Sequence, residues 1–482
     1  MATVKKSLVT PDTLAGQLAE FGLGLRFMDI PAEAVHEAKR RVIDSFACAL
    51  GAQESAPVSI AAAVMPIVKA GAGAIVAGVI GRSAVTSPEW AAFVNGTMIR
   101  FLDFNDTYLS KEPAHPSDNI AAALAAGEAG KRNGEEFITA VIAAYEAQCR
   151  LCDAASLRAR GWDHVTYGAF SATLASAMLL GLSREAAVHA VNIAGTNASA
   201  LRQTRAGTLS MWKGCAFANT ARNAVFAALL AKNGMTGPAP VFEGEFGFFK
   251  LVSGEFTLPE LALKPDVRRF KILDTCMKYY PAEYHAQSAI AAAIELSKEM
   301  EDIEEIEAVH VRTFRAAYEI IGSGPEKWRP MTRETADHSL PFCAASALLD
   351  ATVTVESFSG ERLEDERIIR LMDKIKISVD AELDPLYPEA MPANVEVRLK
   401  SGQTLSREII YPQGHPKNPL SDIEVEEKFA RLASWYLTDT EIKRTLEKLW
   451  GLEKIKDVRE LPGLFGKVKR NNGKAKKLKN AD

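Results

Sequence analysis

Between residues 11 and 265 the chain offers one apolar helical stretch after another, and most of them are filled with alanine. Small side chains on many helices let the axes approach closely, so this half can hardly fold as anything but a compact helical domain. Pro31 opens one helix where its missing N–H costs nothing, and Ala34, Val35, Ala38, Val42, Ala47 and Leu50 follow near helical spacing. The runs IAAALAAGEAGK (120–131) and AVIAAYEAQCRL (140–151) continue the pattern. Loops are marked by GAGA (71–74), GMTGPAP (234–240) and FEGEFGFF (242–249). The longest apolar stretch, 167–182, is broken by Gly168, Ser171, Thr173, Ser176 and Gly181, which predicts a buried helix rather than a membrane span. The N-terminus has two lysines but no apolar region after them, so no export signal is expected.

After about residue 270 the period changes. IEAVHVRTF (306–314) and KIKISV (374–379) alternate as half-buried strands do, and VEVRLKSGQTLSREIIY (395–411) reads as a hairpin turning at Ser401-Gly402. Helices are expected at AQSAIAAAIELSKEM and SLPFCAASALLD, and Ser421 with Glu424 makes a capping-box start for a further one. The expected architecture is mainly α: a helical domain over 1–268, an inserted α+β lid domain over 269–412, and a helical return over 413–466. Residues 467–482 read as a disordered basic tail.

Charge narrows the partners. The chain has 57 Lys+Arg against 61 Asp+Glu, but the tail alone carries seven basic residues and one acid, leaving a net of −10 on the rest. An acidic body is a poor surface for nucleic acid, so an anionic ligand must be met by a few local cations. Six cysteines spread from Cys48 to Cys343 fit a reducing compartment, and a soluble cytoplasmic protein is expected. Gly71, Gly73 and Gly78 lack the dinucleotide spacing, and Cys149 and Cys152 have no second pair to complete a zinc site. No HExxH, GxSxG or phosphate-binding loop is present, so an enzyme of this kind would work with side chains alone, without metal or organic cofactor.

The densest polar cluster is FLDFNDTYLSKEPAHPSDN (101–119). It reads either as a solvated loop between helices or as a site in which His115 transfers a proton and Asp103 orients a partner. Asp103 and Thr107 would share a face if the preceding helix persisted through them. His164 stands at a helix start beside Trp162 and Tyr167, where a structural histidine is the plain alternative to a catalytic one. Lys213 enters a small, apolar helix, either snorkelling to the surface or buried against a substrate carboxylate. Lys278, Glu283 and His285 surround Pro281 at the opening of another helix, a corner suited to binding a carboxylate.

These segments, with WDHVTYGAF, MWKGCAFANTARNAV, KYYPAEYHAQSAI, ADHSLPF and YPQGH, resemble the MmgE/PrpD family over nearly the whole chain. LDFNDT followed by HPSDN is specific to it, and PAEYHAQ is close to its dehydratase branch. The resemblance implies a cofactor-independent homodimer and a site made of Asp103, Thr107, His115, His164 and Lys213, with Lys278 and the Glu283/His285 pair binding substrate. It implies a hydro-lyase acting on a tricarboxylate, 2-methylcitrate to 2-methyl-cis-aconitate, with His115 and His164 sharing the acid and base roles. Decarboxylation of cis-aconitate and epimerisation of a dicarboxylate stand as alternatives in the same site, and an inactive scaffold relative as a remoter one. Phe342 departs from the pattern, because relatives often carry a tyrosine in that segment.

Overall fold

The computed structural model describes residues 12–466 apart from 70, 72, 73, 198 and 263–268, so the basic tail and part of the GAGA loop lie outside the described residues. Among the described residues, the first half is a packed set of helices: α1 (Leu14–Gly24), α2 (Ala32–Gly51), α3 (Ala56–Val64), α4 (Pro88–Phe101), α5 (Asn119–Gly130), α6 (Gly134–Ala154), α7 (Val165–Leu180), α8 (Arg184–Asn197) and α9 (Trp212–Lys232). A two-residue ribbon, β1 (Ala77–Gly78) with β2 (Val85–Thr86), edges them. The small residues do what their size suggests. A Cβ placed on Gly96 of α4 would lie 3.1 Å from the Ala218 Cα of α9, and one on Gly168 of α7 would lie 2.2 Å from the Phe217 ring. Helix α9 therefore packs closely against both α4 and α7, with Lys213 buried at its start. No described helix is long and apolar enough to cross a membrane.

The second region is built on a four-stranded sheet in the order β4-β3-β5-β6: β3 (Ile306–Thr313), β4 (Ile375–Val379), β5 (Ala393–Leu399) and β6 (Thr404–Ile409). β3 pairs parallel with β4 and antiparallel with β5, which turns through Gly402 at a left-handed φ of 88° into β6. The strict alternation buries Val309, Val311, Val395 and Val397 on one face, against α10 (Gln287–Ser297) and a later helix, α14 (Leu340–Asp350). Short turns α11 (Arg315–Ala317), α12 (Pro325–Trp328) and α13 (Arg333–Ala336) separate β3 from α14, and α15 (Gly360–Leu363) and α16 (Glu366–Met372) lead to β4.

The last helices return to the first region. α17 (Asp422–Ala433) starts with the capping box of Ser421 and Glu424 and packs on α2, followed by α18 (Asp439–Trp450). From α17, Lys428 reaches inward: its Nζ lies 2.6 Å from Asp44 Oδ1 and donates to the carbonyls of Phe104 (2.7 Å) and Lys278 (2.8 Å). Among the described residues the two largest hydrophobic cores join residues from Leu14 to Met277 with Leu420 to Phe465, and residues from Ala282 to Val397. The backbones of Phe104 and Lys278 meet at the border between them.

Candidate active site

Helix α4 ends at Phe101, and Asp103 then takes a left-handed φ of 51°. Aspartate tolerates that conformation better than most residues. The helix does not persist, so Asp103 and Thr107 do not share a helical face as the spacing suggested. Instead the chain turns back, and Thr107 forms a two-hydrogen-bond bridge with Cys276, 2.8 Å and 2.7 Å, which brings segment 101–119 against segment 276–285. The Thr107 hydroxyl donates to the Ala114 carbonyl at 3.1 Å.

Asp103, Thr107, His115, His164, Lys278, Glu283 and His285 all line one cleft. Lys213 does not line it. Its Nζ sits behind the wall, 3.0 Å from Asp337 Oδ1 and 3.1 Å from His338 Nδ1, and His338 is the residue that faces the cleft.

The cleft carries six Lys/Arg side chains against two carboxylates, a local basic site in an acidic chain. Most of that positive charge is already spoken for. Asp103 takes Arg100 and, at 3.0 Å, Lys278; Asp337 takes Lys213; Asp163 takes Arg205 at 3.0 Å. Burial works to raise the Asp103 carboxyl, yet Arg100, Lys213 and Lys278 together hold it well below the usual range. Burial in turn lowers Lys213 and Lys278, against the pull of Asp103. Arg158 and Arg202 are different: among the described residues neither has a carboxylate within ion-pair distance, and both line the cleft. Their two turns are stitched together by a Trp162–Leu201 bridge and by Arg202 N–H donating to the Gly161 carbonyl at 3.0 Å. Glu112 caps the first turn, accepting from the N–H groups of Leu157 (2.7 Å) and Arg158 (2.9 Å).

Asp103, Asp337 and His338 bring potential ligand atoms within 4.8 Å of one another. The oxygens of that set are paired with the Lys213, Lys278, Arg100 and Arg333 cations, so the donors fit side-chain charges rather than a divalent ion.

Each histidine has its own wiring. His115 Nδ1 is 2.7 Å from the Asp106 carbonyl, which can only accept, so Nδ1 carries the proton. Its Nε2 is 2.8 Å from Arg100, which can only donate, so that lone pair is occupied and the ring is neutral. Burial, then Arg100 and Lys278, hold His115 well below its ordinary range. His164, whose ring centroid is 5.5 Å away, has Nδ1 3.2 Å from Asp163 Oδ1, while its Nε2 is buried without a hydrogen-bond partner. Burial lowers His164 to about 3, with Arg205 also pushing it down and Asp163 pulling it up. Asp103 therefore bonds neither of these two rings; the imidazole nearest it is His338, at 3.9 Å. His338 is itself lowered to about 4, first by burial and then by Lys213. The anion-binding corner expected at the start of α10 is filled from within, because Glu283 Oε2 accepts from the His285 backbone N–H at 2.8 Å.

Several of these residues were not singled out from the sequence: Arg100, Arg158, Arg202, Arg205, Asp163, Asp337 and His338. The available signals were the runs LRARGWD and LRQTRAG, two arginine pairs in short loops, the first ending on an aspartate directly before His164. Phe342 lies in the core under the sheet, 1% exposed, and does not reach the cleft. The phenol close to the site is Tyr387, whose ring centroid is 5.8 Å from that of His285.

Residues 16–260 match the MmgE/PrpD N-terminal domain and residues 280–452 the MmgE/PrpD C-terminal domain. The chain is similar to a 2-methylcitrate dehydratase of Escherichia coli (strain K12), 32% identical over 68% of this chain and 72% of that protein. A 2-methylcitrate dehydratase of Cupriavidus necator is 30% identical over 82% and 85%. A cis-aconitate decarboxylase-like protein of Aspergillus oryzae is 27% identical over 95% and 98%. With both of its domains matched in order around this one cleft, the chain belongs to the MmgE/PrpD family.

Proposed function

We propose that the protein is a hydro-lyase that dehydrates a tricarboxylate, 2-methylcitrate to 2-methyl-cis-aconitate, by side-chain acid–base chemistry. One observation carries the reading: a neutral imidazole, His164, with an unpartnered buried Nε2, faces a cleft whose unneutralised charges are the cations Arg158 and Arg202. A carbon acid next to a carboxylate needs such a base and such an anchor together. In the proposed step His164 Nε2 takes the proton, the C–H electron pair becomes the new double bond, and the C–O pair leaves with the hydroxyl. Arg158 and Arg202 bind carboxylates, and Thr107 accepts or relays a hydrogen bond from the substrate. Lys278 and Lys213 act through the Asp103 and Asp337 pairs they make, holding the floor of the cleft in one protonation state. For His115 to move a proton, Arg100 would first have to release its Nε2, so it serves this mechanism as a neutral partner that fixes Arg100.

A second reading, decarboxylation of cis-aconitate, is favoured by the length of the match to the Aspergillus oryzae protein. Purified protein incubated with 2-methylcitrate, citrate and cis-aconitate separates the two. New absorbance from a conjugated double bond is expected with 2-methylcitrate. Release of CO₂ from cis-aconitate without any dehydration would replace the proposal by the second reading.

A further inference from the structure

Dehydration also needs an acid for the departing hydroxyl, and the structure contains a second carboxylate–imidazole pair that the base does not use. Glu283 Oε1 is 2.6 Å from His285 Nδ1, and its Oε2 accepts from the His285 backbone N–H at 2.8 Å, so one carboxylate grips ring and backbone of the same residue. The ring packs against the stacked rings of Phe314 and Tyr387, with centroids at 5.4 Å and 5.8 Å, and is 3% exposed. That leaves Nε2, which is buried, has no hydrogen-bond partner, and belongs to a residue lining the same cleft as His164.

We infer that His285 Nε2 is the proton donor to the leaving hydroxyl, with Glu283 as its positioning residue. The inference rests on the dehydration reading. It follows from how the two pairs are neutralised. Asp163 shares its charge with Arg205, 3.0 Å from Oδ2, so little is left to stabilise a cation on His164. Glu283 has no Lys or Arg within ion-pair distance among the described residues, and its direct contact is with His285, while His338 and Lys278 act on it from farther off. Burial works to raise Glu283, but His285, then His338 and Lys278, pull it down to about 2, so the carboxylate that holds the ring at 2.6 Å is ionised. The step balances. Nε2–H breaks as the hydroxyl oxygen takes the proton and leaves as water, while His164 gains the carbon-bound proton; exchange with solvent then resets both rings.

An analogue carrying fluorine in place of the departing hydroxyl separates acid from base, because fluoride leaves without needing a proton. His285→Asn keeps an N–H for Glu283 but has no Nε2, and His285→Gln is the second variant should the first fail to fold by circular dichroism. Dehydration by His285→Asn is expected to fall about 100-fold, as general acids typically contribute. Fluoride release by the same variant should stay within about tenfold of the wild type, while His164→Gln loses both activities. Glu283→Gln should lower kcat for dehydration with KM changed less than about twofold, the split expected of a residue acting through the acid. Dehydration by His285→Asn within about threefold of the wild type, or equal loss of water and fluoride release, overturns the assignment. A wild-type protein that releases neither water nor fluoride overturns the dehydratase reading instead, and this inference with it.

Discussion

The two carboxylate–imidazole pairs come from opposite halves of the chain and look alike in composition, yet the structure makes them different groups. Asp163–His164 opens α7, at 3.2 Å, with an arginine on the far carboxylate oxygen; Glu283–His285 precedes α10, at 2.6 Å, with none. Burial, with Arg205 adding to it, keeps His164 neutral, whereas Glu283 has no such arginine and grips His285 directly. An elimination requires one group that takes a proton and one that gives it, the two roles proposed for these pairs.

The largest expected effect comes from deleting the neutral member. His164→Gln should lower kcat about 1,000-fold with the protein still folded, measured by steady-state formation of the conjugated product. Retention of turnover would mean that the pair on α7 is structural and the comparison inverted. Next come the cations that the pairs leave unneutralised. Arg158→Ala and Arg202→Ala should each raise KM for a tricarboxylate about 30-fold with a smaller change in kcat, the loss of one charge-assisted contact. Arg205→Met is a direct attempt to make the first pair resemble the second. Without that guanidinium Asp163 stabilises the imidazolium, His164 rises from about 3, and the acid limb of kcat moves toward neutrality. Turnover relative to the wild type should then fall progressively as the pH is lowered, whereas at about pH 8 it should hardly change.

The smallest effect is on stability. His164 and His338 are held neutral in the folded protein, at about 3 and about 4, below the value near 6.5 expected when unfolded. As pH falls below about 6.5 the unfolded chain takes up protons that the folded one refuses, so each group makes stability drop by up to about 1.4 kcal/mol per pH unit. Urea midpoints at about pH 7 and pH 5 should show the drop, and His164→Gln should lessen it by about 2 kcal/mol. An unchanged slope in that variant would show that burial does not hold His164 neutral.

Much of this was legible in the sequence because it depends on local period and local chemistry. The alanine-rich helices, the strands at 306–313 and 375–379, the hairpin at Gly402 and the capping box at Ser421 all follow from residues within a turn or two of one another. The cleft residues were legible as a set, since polar clusters interrupting apolar helices stand out. Their wiring was not. Lys213 could be recognised as odd in an apolar helix, but its partner Asp337 lies 124 residues away. Asp103 is four residues from Thr107, and only its left-handed backbone, set by packing against distant cations, takes it off the helix. Arg158 and Arg202 become neighbours through a single bridge between loops, for which neither loop carries a signal.

Lys428 has a mechanical consequence. An ammonium has three donors, and here all are committed, to Asp44 and to the carbonyls of Phe104 and Lys278. The last two belong to the chain segments that supply Asp103 and Lys278 to the cleft. Lys428 therefore ties the segment carrying Asp103 to the segment carrying Lys278 through one ammonium. The position of Asp103 and Lys278 relative to each other is thus set by a residue more than 100 positions away from either.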